Sequence, residues 1–62
     1  ADVPIEIYTK YRQKILEIIP ANISQVVDYQ YFNNKSYATE VIRRMIENEE
    51  IWYSELGILQ KK

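Results

Sequence analysis

The chain has 62 residues, a formal net charge of −1, and neither cysteine nor histidine. Those absences exclude disulfides, thiolate metal sites and histidine chemistry, both as metal ligand and as general base. A core this small rarely supplies more than about 3–5 kcal/mol unaided, so further stability is expected from a partner: a second copy, a larger assembly or a nucleic acid.

Apolar residues make up 47% of the chain, with six tyrosines, one glycine and two prolines, a composition of regular structure rather than disorder. The near-balance of charge argues against a non-specific nucleic-acid binder, although a local basic patch could still read DNA. No apolar run approaches the roughly 18–20 residues of a membrane span, and no signal-peptide pattern is visible. With no Met at its start, the chain reads as a processed form or a fragment. The sequence assigns no compartment, with an intracellular one favoured.

Residues 1–3 read as a loose end. Pro4 suits a first helical turn, and Ile5, Tyr8, Tyr11, Ile15, Leu16 and Ile19 follow the spacing of one helical face. A helix is predicted over residues 4–19, stopped because the residue before Pro20 is pushed out of the helical region. Asn22 with Gln25 three residues on is a capping-box pattern, opening a second helix over 22–32 on Ile23, Val26, Val27 and Tyr31. Asn33-Asn34-Lys35 reads as a turn. A third helix over 36–48 is capped by Ser36, with the stripe Ala38, Val41, Ile42, Met45 and Ile46 and a Glu40–Arg44 pair outside. A fourth over 50–57, or a continuation of the third as far as Leu56, ends at Gly57. The predicted architecture is all-α, a three- or four-helix bundle forming a single domain.

Catalysis finds no support in these residues. Ser24, Ser36 and Ser54 have no histidine to activate them, and Glu47, Glu49 and Glu50 occupy positions that point in different directions on a helix. No glycine-rich phosphate loop or calcium-loop pattern occurs, so no enzyme activity, metal site, cofactor or small-molecule substrate is expected. Lys10, Arg12 and Lys14 interleave with Tyr8 and Tyr11, a pattern that can meet phosphates and stack bases, or else is the basic side of an amphipathic helix. Arg43 and Arg44 lie on the polar side of the third helix. Trp52 and Tyr53, followed by Leu56, Ile58 and Leu59, are residue types enriched at interfaces, and equally able to close a core.

The stretch Ile19 to Glu50 resembles the helices of ribbon-helix-helix regulators. Ile19-Pro20 is similar to that family's entry into its first helix, Val27-Asp28 to an apolar-Asp pair later in it, and Thr39-Glu40-Val41-Ile42-Arg43 to its second helix. The acidic, aromatic tail is similar to that of ParD-type antitoxins. The resemblance implies a dimer with one short strand, placed at Ile15–Ile19, that binds DNA or a toxin. Its groove-facing positions would be Leu16 and Ile18, which lack the polar groups that read base edges. Tyr8-Thr9-Lys10 with Ile15-Leu16 and Pro20 is similar to the opening helix of a small accessory subunit of respiratory complex I.

Two readings follow. The first is a non-enzymatic helical protein-interaction module, or small subunit of an assembly, that contacts a protein or a second copy through Trp52, Tyr53, Leu56 and Leu59. The alternative is a dimeric DNA-binding regulator or antitoxin, with Lys10, Arg12, Lys14, Ser36, Tyr37, Arg43 and Arg44 facing nucleic acid. The conformation of Lys14–Ile19, strand or helix, divides the two.

Overall fold

A computed structural model describes residues 2–62. In chain order it contains α1 (Ile5–Ile18), β1 (Ala21–Asn22), α2 (Ile23–Val27), α3 (Lys35–Glu47), β2 (Ile51–Tyr53) and β3 (Ile58–Lys61). The strands form an antiparallel sheet in the order β1-β3-β2. The protein is therefore α+β, which corrects both the all-α bundle and the ribbon-helix-helix alternative.

The first helix forms where the apolar spacing placed it. Pro4 stands at its N-cap, and the chain leaves the helix at Ile19, whose backbone is extended ahead of Pro20 (φ −84°, ψ 151°). Lys14–Ile18 is thus the last turn of α1, where the resemblance put a strand. Tyr11, Ile15 and Ile19 enter the core. Val3 is buried with them, so the expected loose end is wrong at that residue, while Ala1 lies outside the described residues.

The second helix is much shorter than the predicted 22–32. Its start is as read: the Asn22 carboxamide oxygen accepts from the Ser24 N–H at 2.9 Å, and the Gln25 carboxamide oxygen accepts from the Asn22 N–H at 3.3 Å. It ends at Val27 because the chain turns to bury Phe32. That ring packs edge-on against Tyr11 with centroids 4.7 Å apart, and the Phe32 N–H donates to the Tyr29 carbonyl at 3.0 Å. A continued helix would carry Tyr31 inward; instead Tyr31 stays partly exposed and Phe32 fills the core.

In α3 the stripe Ala38, Val41, Ile42 and Met45 is buried, and Ile46 emerges at the surface. The cap is Asn34, whose side chain accepts from the Tyr37 N–H at 3.0 Å, rather than Ser36. The helix stops at Asn48, and Glu49 follows with φ 60°, a left-handed turn that redirects the chain.

The fourth helix predicted over 50–57 does not exist. Ile51-Trp52-Tyr53 is a β-branched and aromatic triplet that suits a pleated strand, and it pairs with β3 in the register Ile51↔Lys61, Trp52↔Gln60, Tyr53↔Leu59. Gly57, expected as a helix stop, sits in the hairpin loop at φ +80°. There its N–H donates to the Ser54 carbonyl at 2.9 Å, and the Ser54 hydroxyl accepts from the Ile58 N–H at 3.2 Å. Because β3 is central, it also takes up β1 through Ala21↔Leu59 and Asn22↔Ile58. One face of the sheet, through Ile51 and Leu59, closes against the helices, and the other carries Trp52 and Gln60 outward.

Candidate interaction surface

The hairpin β2–β3 is where the chain leaves its largest side chains uncovered. Side chains alternate across a strand, so burying Ile51 inward turns Trp52 outward. Trp52 is 45% exposed, Tyr53 52% and Leu56 83%, the last of these in the loop between the strands. The three lie within five positions on one hairpin, with Tyr53, the cross-strand partner of the buried Leu59, on the opposite face of β2 from Trp52. Ser54 and Gly57 hold the loop that presents Leu56, and Glu55 supplies its charge. Leu59, expected beside them, is instead fully buried at the centre of the sheet, so it positions the hairpin from below and touches no partner.

The outer edge of β2 is short, and it is covered at Ile51 but not at Tyr53. The register leaves the main-chain groups of Ile51 pointing away from β3, yet Ile51 is only 1% exposed. An added strand would therefore be interrupted at Ile51.

The residues expected to face nucleic acid do not converge. The Tyr11 ring is buried and its hydroxyl accepts from the Asn34 N–H, which removes it from any stacking surface. Arg12 is clipped to Glu50 across the molecule. The glutamate's hydrogen bond raises the arginine's pKa, a measure of how firmly that charge is held. Lys14 pairs with Glu17 at 3.1 Å and stands 4.9 Å from the centroid of Tyr31. Ser36 is exposed near the start of α3, and Tyr37 is half-buried against the core.

On the rest of α3, Glu40 takes Arg43 at 2.6 Å and Arg44 at 3.0 Å, while Arg43 also reaches Glu47. The hydrogen bonds from Arg43 and then Arg44 lower the Glu40 pKa to about 2, and the same contact with Glu40 raises that of Arg43. Arg12, Lys14, Lys35, Arg43, Arg44 and Lys62 each lie in an ion pair among the described residues. Of the eight cations in the chain, that leaves Lys10 and Lys61.

The sequence did not single out Ile5, Tyr29, Tyr31 or Ile46 as surface apolar residues, though all four are exposed. Ile5 and Ile46 sit in perfect helical register with core positions, so periodicity alone hides them. Tyr29 and Tyr31 pack edge-on around Phe32 in the 28–34 connection. No family model, no curated protein and no solved structure matches the chain.

Proposed function

We propose that this domain is a non-enzymatic protein-interaction module whose contact surface is the β2–β3 hairpin. One observation carries the reading: Trp52 on the outer face of the sheet and Leu56 in the loop are both exposed, as is Tyr53 on the opposite face of β2, on a hairpin anchored in the core by Ile51 and Leu59. Single exposed apolar residues are ordinary, but a tryptophan, a tyrosine and a leucine on one hairpin form the kind of anchor around which protein interfaces concentrate their binding energy. Glu49 and Glu50 beside the hairpin are paired with Lys62 and Arg12, while Glu55 and Lys61 on it stay outside the ion pairs of the described residues.

The test is photo-crosslinking in the native host from a benzophenone amino acid placed at Gln60, the cross-strand neighbour of Trp52. One discrete protein adduct, abolished by Trp52→Ala and by Leu56→Ser, is the expected result. An adduct pattern indifferent to both substitutions removes the hairpin as the contact surface.

A second reading, a DNA-linked regulator, has its own observation. Helix α2, the 28–34 connection and α3 occur in helix-turn-helix order, followed by a hairpin whose last strand is central. In a helix-turn-helix pair the second helix is the one offered to the major groove, although the 28–34 connection is longer than that motif's turn of about 3–4 residues. Against it stand Glu40 and Glu47, which occupy the face of α3 that carries Arg43, and Glu55 at the tip of the hairpin. Phosphate contacts demand cations free to release counterions. Salt-dependent affinity for duplex DNA at low ionic strength, lost on Arg43→Ala, would give this reading precedence.

A further inference from the structure

We draw no further inference here: the strongest candidate, the surface patch of exposed tyrosines Tyr29 and Tyr31 packed edge-on around Phe32 in the 28–34 connection, already has Lys14 seated over Tyr31 and paired with Glu17, and nothing in the structure shows what covers it.

Discussion

The backbone N–H of Asn34 donates to the hydroxyl of Tyr11 across 3.3 Å, tying the cap of α3 to the middle of α1. The same tyrosine ring meets Phe32 edge-on, so one residue fixes both the helix pair and the connection between them. Tyr11→Phe keeps the ring and loses the hydrogen bond, and is expected to cost about 1 kcal/mol. Tyr11→Ala removes both and is expected to cost about 3–5 kcal/mol, by analogy with other buried aromatics. Urea denaturation with unchanged slopes checks the pair; equal losses would show that the ring contributes nothing beyond the hydroxyl.

Leu59 and Trp52 belong to the same hairpin but to different functions. Leu59 is fully buried between Ala21 and Tyr53 in the sheet register, and Leu59→Ala is expected to cost about 2–5 kcal/mol. Trp52→Ala, on the outer face, is expected to change stability by about 0.5 kcal/mol or less while removing the crosslinked adduct. Thermal melts of the two variants separate scaffold from surface. A large loss on Trp52→Ala would return the tryptophan to the core.

Gly57 sits at φ +80°, where a side chain is strained, although a Cβ there would meet only the Asn22 carboxamide nitrogen at 3.8 Å, an ordinary contact. Gly57→Ala is therefore expected to cost about 1–2 kcal/mol from backbone conformation alone. Asn22→Ala removes the cap of α2 and is expected to cost about 1 kcal/mol. Because the Gly57 carbonyl accepts from the Ile23 N–H at 3.0 Å, the two sites are coupled, and a double variant in urea denaturation, losing other than the sum of the single losses, checks that coupling.

Glu40 gives the chain an acid-sensitive joint. Its carboxyl, donated to first by Arg43 and then by Arg44, is lowered from 4.5 to about 2. A depressed carboxylate stabilises the fold above its unfolded pKa, and that contribution is lost as pH falls through the folded value, here between about 4.5 and 2. Glu40→Gln is expected to flatten this part of the stability–pH curve, and raised salt to blunt the difference because the pairs are solvent-exposed. Parallel acid limbs in the two proteins would show that other carboxylates control the transition.

Much of the local structure was legible from residue patterns. The spacing of Tyr11, Ile15 and Ile19, the block imposed by Pro20, the Asn22–Gln25 box and the stripe from Ala38 to Met45 all rest on short-range geometry, which a chain carries wherever it folds. The composition likewise set limits on chemistry, since a chain without cysteine or histidine lacks the side chains for whole classes of site. Of the surface, Trp52, Tyr53 and Leu56 could be named as residue types suited to contact, but their exposure could not be read.

The tertiary structure decided the C-terminal third. Ile51-Trp52-Tyr53 and Ile58-Leu59 suit a strand only when paired; they pair with each other across the 54–57 loop, and β3 also pairs with β1 more than thirty residues earlier in the chain. Helical periodicity cannot register such a contact, which is why the segment read as a fourth helix. Phe32 shows the same limit: its place against Tyr11 outweighed the local preference to continue α2, because burying an aromatic ring is worth more than another turn of short helix. Whether an apolar residue becomes core, as Ile51 does, or surface, as Trp52 does beside it, follows from which face of the sheet the helices cover.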